Sequence, residues 1–403
     1  MINVMTWFLF LYRNVDADTK GVFMSKKNTK KCMKCGKKNI SYRAIKCPQC
    51  GNLMRKNTKS IKEGGTMWVN QSSRNIIDKD FFPDELHVDV KNIFPVIIVA
   101  NMSSGKSTLI NALLGRELMP SKNAACTSKM FSILDVDNAV NDKICVVDKS
   151  GCELYEEKRE SLGELLIKEK IESANDSDEY KEVFVTTDIK NILNTKKNLL
   201  IIDTPGPNNS RDEKHESVMK NILRKIHGGL IIYVIDATQS STNDGKNLLN
   251  TLANHIKNNP AMRIVFVLNK IDRIDDEKED IWDMVVKTKE DLDKSGFNNS
   301  EIISISAYAA TIFKKVLDKK ELSRLEKRSF FECYDLFKPQ GFHAMNYSVL
   351  SEYSNPIEVR EIDGERIFNY ELYRALENTG LAYLEKRIQK EQIFSLLNEE
   401  VIV

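Results

Sequence analysis

Val96-Ile-Ile-Val-Ala-Asn-Met-Ser-Ser-Gly-Lys-Ser-Thr-Leu-Ile-Asn-Ala-Leu-Leu-Gly115 joins a β-branched apolar run to a segment with helical spacing. The first half reads as a buried strand and Leu109–Leu114 as the start of a helix. Between them, Ser103, Ser104, Gly105, Lys106, Ser107 and Thr108 form the core of a phosphate-binding loop. Backbone N–H groups at such a helix start suit an anion. Lys106 would reach the β and γ phosphates, and Ser107 would hold Mg²⁺. Ala100 stands where such loops usually carry their first glycine. A Cβ disfavours positive φ, so this end of the loop is expected to keep φ negative.

The downstream motifs follow in order. Leu118–Lys129 reads as a loop in which Thr127 could close over Mg²⁺ and the γ-phosphate. Asn198–Asp203 is a buried strand that runs into Asp203-Thr-Pro-Gly206. There Asp203 would hold Mg²⁺ through water, and the Gly206 N–H would meet the γ-phosphate. Leu230–Asp236 gives another parallel-type strand, and Arg263–Leu268 leads into Asn269-Lys-Ile-Asp272. A carboxylate at Asp272 accepts from guanine N1 and N2, whereas adenine would leave it unpaired. The stem of Lys270 would cover the ring and Asn269 would brace the loop. Ser306 and Ala307 follow the next strand, where the Ala307 N–H can meet guanine O6. A phosphate-loop ATPase would not explain Asp272, so the motifs imply GTP and GDP as ligands.

From about Phe94 to Gln392 the chain resembles the GTPase domain of dynamin-family proteins, particularly the bacterial dynamin-like ones. The resemblance rests on Ser103–Gly115, Met119-Pro-Ser-Lys with Cys126-Thr127, Asp203-Thr-Pro-Gly-Pro-Asn-Asn-Ser, Thr242-Asn-Asp-Gly, Asn269-Lys-Ile-Asp and Thr379-Gly-Leu-Ala-Tyr-Leu-Glu. It implies Mg²⁺-dependent GTP hydrolysis, low nucleotide affinity and activation by a homodimer of GTPase domains. By this likeness 308–370 is a helical insertion and Leu372–Gln392 a closing helix. Two positions depart from the family. Met102 replaces the glutamine that helps place the attacking water, and Pro207 follows Gly206. Water placement then falls to the backbone, Thr127, a partner or a cation near Ser103, and turnover could be slow. A GTP-dependent switch with little hydrolysis is the alternative. The family's long helical stalk and lipid-binding tip are not seen after the closing helix, so membrane remodelling is not carried over.

The expected fold class is α/β: a phosphate-loop GTPase domain at 67–398, its mostly parallel sheet flanked by helices, with a small zinc ribbon ahead of it. Residues 130–197 read as an elaborated insert, with strands at Phe131–Val136, Ile144–Val147 and Val183–Thr187 and a charged helix around Glu156–Lys170. Trp68, Phe81, Phe82 and Leu86 are expected to pack on the main domain ahead of the first strand.

The N-terminal part differs in charge. Residues 1–62 hold a net charge of +13 and the remainder −11. Cys32-Met-Lys-Cys35 and Cys47-Pro-Gln-Cys50 are two knuckles eleven residues apart. Four thiolates so spaced make a closed, structural Zn²⁺ site, which would fold a ribbon at 24–52. Residues 53–66 read as a linker. Lys26–Lys62 carries 13 basic residues and no acid. Nucleic acid, an anionic surface or another protein are all open as its partner. Residues 1–23 read as an upstream extension ahead of a start at Met24. With no run of about 18 apolar residues and no secretory signal, a cytoplasmic protein with reduced thiols is expected. The histidines His87, His215, His227, His255 and His343 show no ligand spacing.

Overall fold

The computed structural model describes residues 29–30, 40–41, 75–101, 103–119, 130–148, 151–158, 169–174, 180, 182–204, 213–239, 243–274, 280–298, 300–338 and 358–400. The chain divides into two units, Met1–Asn70 and Gln71–Val403. In the first, β1 (Thr29–Lys30) pairs antiparallel with β2 (Ile40–Ser41). Cys32, Cys35, Cys47, Cys50 and Trp68 lie outside the described residues, as do the proposed extension and linker.

The second unit is built on one nine-stranded sheet. Its strands are β3 (Ile93–Ala100), β4 (Met130–Asp135), β5 (Asn141–Val147), β6 (Cys152–Lys158), β7 (Glu182–Thr187), β8 (Asn198–Asp203), β9 (Gly228–Asp236), β10 (Ala261–Asn269) and β11 (Ile302–Ile305). They run in the order β11-β10-β9-β3-β8-β4-β7-β5-β6. From β11 to β8 every neighbour is parallel. The phosphate-loop strand β3 sits centrally and all eight of its residues are buried, as both faces of a parallel sheet must be covered.

Alternation along β3 divides the core. Ile93, Ile97 and Val99 face one apolar cluster, and Phe94, Val96, Ile98 and Ala100 face the other. Helix α1 (Lys106–Leu114) covers the second face with Leu109, Ile110 and Leu113. The first face takes Met219, Ile222 and Leu223 of α2 (Glu213–Lys225), Leu252 of α3 (Asn243–Asn258) and Leu292 of α4 (Ile281–Lys294). Phe81 and Phe82 pack there too, against Phe184, as their position ahead of the first strand implies.

Residues 130–197 supply β4–β7, which extend this same sheet. The β4 strand lies antiparallel to β8 and parallel to β7, while β5 and β6 form an antiparallel hairpin. The three strands read from the sequence here are present. The helix expected around Glu156–Lys170 is overturned at its start, where Cys152–Lys158 is strand, paired to β5 with Tyr155 opposite Ile144, and its middle lies outside the described residues. Helix is described only at 169–174. Cys145 and Cys152 form a disulfide across this hairpin, Cα atoms 5.8 Å apart. The antiparallel pairing of β5 with β6 brings them together, so the expectation of reduced thiols fails at this pair. Cys333 is free, and burial pushes its thiol up to about 12.

Beyond β11, helices α5 (Ala307–Leu317) and α6 (Arg324–Phe337) are followed by a hairpin of β12 (Val359–Ile362) and β13 (Glu365–Phe368). Among the described residues, the segment 308–370 thus contains a hairpin as well as the expected helices. The closing helix is two helices, α7 (Asn369–Asn378) and α8 (Leu381–Glu400). Gly380 divides them at φ +78°, where a Cβ would lie 2.1 Å from the Ser304 carbonyl oxygen. Among the described residues, no helix is long and apolar enough to cross a membrane.

Candidate nucleotide site

Parallel strands deliver their C-terminal ends to one edge of the sheet, and the candidate residues collect there. Asp203 ends β8, Asp236 ends β9, Asn269 ends β10, and Ser306 directly follows β11. Ala100 ends β3 within the strand conformation, as expected for a residue that cannot replace glycine in a left-handed turn. The turn is made further on, by Ser103 at φ +60° and Gly105 at φ +84°. The Ser104 hydroxyl donates to the Asn101 carbonyl at 2.8 Å and closes the loop. Ser107 and Thr108, both partly exposed, occupy the first turn of α1.

Lys106 and Asp203 are both buried and form a direct ion pair, Lys106 Nζ with Asp203 Oδ1. The two groups expected to meet phosphate and Mg²⁺ thus meet each other across the start of α1. Thr204, the next residue, is tied to β3 by its hydroxyl donating to the Ile98 carbonyl at 2.9 Å.

Asn269 braces the site as its position implies. Its Nδ2 donates to the Ser104 carbonyl at 2.9 Å, and its Oδ1 accepts from the Ala307 N–H at 3.1 Å. One buried carboxamide therefore joins the phosphate loop, β10 and the start of α5. The Ala307 N–H is engaged in that brace, so it is not the free donor to guanine O6 that the sequence pattern implies. Asp272 is partly buried and accepts from the Ser306 hydroxyl at 2.6 Å. The same hydroxyl accepts from the Ala309 N–H at 3.1 Å as the N-cap of α5. The Ser306 hydroxyl thus positions the Asp272 carboxylate.

Lys270 sits at φ +70° and its ammonium lies 2.7 Å from Asp236 Oδ2. Burial pushes the Asp236 carboxyl up, but hydrogen bonds from Lys270 and from the Thr238 hydroxyl and N–H outweigh it and hold the group below its ordinary value. Sequence reasoning missed this role, although a carboxylate ending an apolar strand beside the lysine loop was a usable signal. It also missed Asn111, whose Oδ1 accepts from the Leu118 and Met119 N–H groups at 3.0 and 2.7 Å. Asn111 Nδ2 returns a bond to the Met119 carbonyl at 2.9 Å, clamping the non-helical chain that leads toward Thr127. Thr127, Gly206, Met102 and Pro207 lie outside the described residues.

A cavity of about 930 Å³ opens beside the site between α3 and α4. Tyr233, Asp236, Lys246, Asp283, Met284 and Lys287 are among its walls, and Asn101 at the start of the phosphate loop also lines it.

A phosphate loop, a strand-end aspartate and an Asn-Lys-x-Asp loop on one edge of a mostly parallel sheet define a phosphate-loop GTPase fold. Residues 96–271 match the model of the Dynamin family, so this part of the chain is similar to a dynamin-family GTPase domain. Dynamin-like protein 1 of Campylobacter jejuni subsp. jejuni serotype O:23/36 (strain 81-176) is 25% identical over 275 residues, covering 60% of this chain. The match spans 36% of that relative's length, about a third. Among solved structures, an oligomerised bacterial dynamin pair aligns with a TM-score of 0.40 and 20% identity, over 77% of this chain and 45% of its own. Era of Aquifex aeolicus bound to GDP·AlF₄⁻ aligns at 0.31 and 18% identity, over 62% and 69%.

Proposed function

We propose that the chain binds GTP and hydrolyses it to GDP and phosphate. The observation that carries this reading is the Asn269 brace, which fixes the phosphate loop and the Asp272–Ser306 pair in one frame. Asp272 would accept from guanine N1 and N2 while the Ser306 hydroxyl steers its other oxygen. Lys106 would leave Asp203 for the β and γ phosphates. The Ser107 hydroxyl and Asp203 carboxylate are hard oxygen donors, a set that fits Mg²⁺. When bound, that ion supplies neutralisation of the phosphate charge. Water attacks the γ-phosphorus, the bond to the bridging oxygen breaks, and GDP leaves with that electron pair. Thr127 and the Gly206 N–H are the proposed contacts to Mg²⁺ and γ-phosphate. Dimerisation of GTPase domains would supply what Met102 and Pro207 withhold.

In the same reading, 24–52 is a ribbon on Zn²⁺ held by Cys32, Cys35, Cys47 and Cys50, 53–66 a linker and 67–398 the GTPase domain. The ribbon's net positive charge supports an anionic partner, nucleic acid or an anionic surface. Phosphate release across a protein-concentration series, with Lys106→Ala as blank, tests the central claim. Specific activity rising with concentration is expected. GTP bound stoichiometrically with activity at the blank would instead favour the switch reading that Met102 and Pro207 motivate.

A further inference from the structure

We propose that Asp135, Asp137 and Asp188 form a binding site for a hard divalent cation, Ca²⁺ in the first instance, separate from the nucleotide site. These three residues each offer a carboxylate oxygen, and the three oxygens lie within 4.8 Å of one another. Ligands around one hard divalent cation, each at about 2.0–2.6 Å from it, fall within that limit. An all-carboxylate set also disfavours the softer transition metals.

Proximity of acids alone would say little. The second observation is Asp135 itself. It ends β4 with no exposed surface, and its Oδ1 accepts from the Ile189 N–H at 2.7 Å. Its Oδ2 is buried and has no hydrogen-bond partner. A buried carboxylate oxygen left without a donor is costly, and here two further carboxylates stand beside it. A cation bridging the three would satisfy the orphaned oxygen and reverse the repulsion.

The fold holds these groups in place. The β4 and β7 strands are parallel with Asp135 opposite Thr187, so the turn after β4 and the loop after β7 emerge side by side. Asn194 fastens the two. Its Nδ2 donates to Asp137 Oδ1 at 2.8 Å and to the Asp135 carbonyl at 3.3 Å. Asp137 is exposed and Asp188 half-buried, which leaves the site open on one side for the ion and for water ligands.

The site lies on the edge of the sheet opposite the phosphate loop. The β4 strand runs antiparallel to β8, pairing Phe131 with Asp203 and Leu134 with Leu200, so Asp135 points away from Asp203. It is instead close to α8. Gln392 of that helix donates to Asn194 Oδ1 at 3.2 Å and to the Lys197 carbonyl at 2.6 Å. Ion binding would therefore secure the loop against which α8 rests.

The test uses the full chain, freed of nucleotide and treated with chelator, titrated with CaCl₂ by calorimetry and followed by thermal denaturation. Saturable uptake of one Ca²⁺ is expected, with a dissociation constant of about 10⁻⁵–10⁻³ M. At a hundredfold excess over that constant Tm should rise by about 5 °C. Asp135→Asn keeps the acceptor for Ile189 and removes one charge, and Asp137→Asn keeps the acceptor for Asn194 on an exposed turn. Both variants should fold and lose the uptake, while Ser107→Ala should retain it. No saturable uptake by the folded wild-type chain overturns the proposal. So does uptake that survives both aspartate variants, or that disappears in Ser107→Ala, which would put the ion at the phosphate loop.

Discussion

Asn269 Nδ2 occupies the space that a Cβ on Gly105 would need, 2.4 Å from its ideal position. The glycine is required twice over, by its φ of +84° and by this contact. Gly105→Ala must strain the backbone by about 1–2 kcal/mol and push the carboxamide off the Ser104 carbonyl, at about 1–3 kcal/mol for a buried group left unpaired. Calorimetric titration should show GTP affinity down at least about tenfold, with a lowered Tm for the unliganded chain. Unchanged affinity would mean that Asn269 does not tie base recognition to the phosphate loop.

Asp272→Asn exchanges an acceptor for a donor where guanine presents N–H groups. GTP binding should weaken by about 100-fold or more, as expected when paired polar groups become mismatched. Xanthosine triphosphate, with a carbonyl in place of the exocyclic amine, should bind the variant better than GTP does. Competition against a fluorescent nucleotide would measure both. Equal preference before and after the change would remove Asp272 from the base site.

Lys106→Ala leaves the fully buried Asp203 carboxylate without its cation. Removing one partner of a buried pair costs about 3–5 kcal/mol, so this variant should be destabilised even without nucleotide. Adding Asp203→Asn should restore much of that loss while GTP binding stays absent. Urea denaturation of the single and double variants reads the difference, and additive losses would show that the pair is not coupled.

Burial, with His227 adding like charge, lowers the His255 pKa below its ordinary value of 6.5. On acidification the unfolded chain then takes up this proton before the folded chain does. The associated stability is present above about pH 6.5 and is lost as pH falls through the lower, folded-state value. Urea midpoints at pH 8 and pH 5 should fall further apart in the wild type than in His255→Gln. An identical drop in both would assign the acid sensitivity to other groups.

The half of the fold around β3, β8, β9, β10 and β11 was legible because parallel strands buried on both faces print continuous apolar runs. The turn chemistry of Gly105 and the carboxylate of Asp272 then announce a nucleotide by type and spacing. The β6 strand was not legible. Its sequence, Cys-Glu-Leu-Tyr-Glu-Glu-Lys, is rich in residues that favour helix, and only pairing with β5 makes it a strand. The division at Gly380 was equally hidden, since a single glycine in a helical pattern shows neither its φ nor the carbonyl of Ser304 against it. Side-chain relations over long separations, such as Ser306 to Asp272 or Asn111 to Met119, depend on rotamers that no periodicity encodes.

The Lys106–Asp203 pair means that the Lys106 ammonium is already matched by a carboxylate before any ligand arrives. A triphosphate cannot simply be added to it; it must displace a carboxylate from the ammonium, and that carboxylate must then find another positive charge. Entry would thus be an exchange of counter-ions, in which metal-free GTP offers Asp203 no replacement cation and the metal complex does. On the proposed reading, the resting ion pair would set a threshold that a ligand bringing its own cation crosses most cheaply, and the pocket would sort ligands by charge state before the base is read.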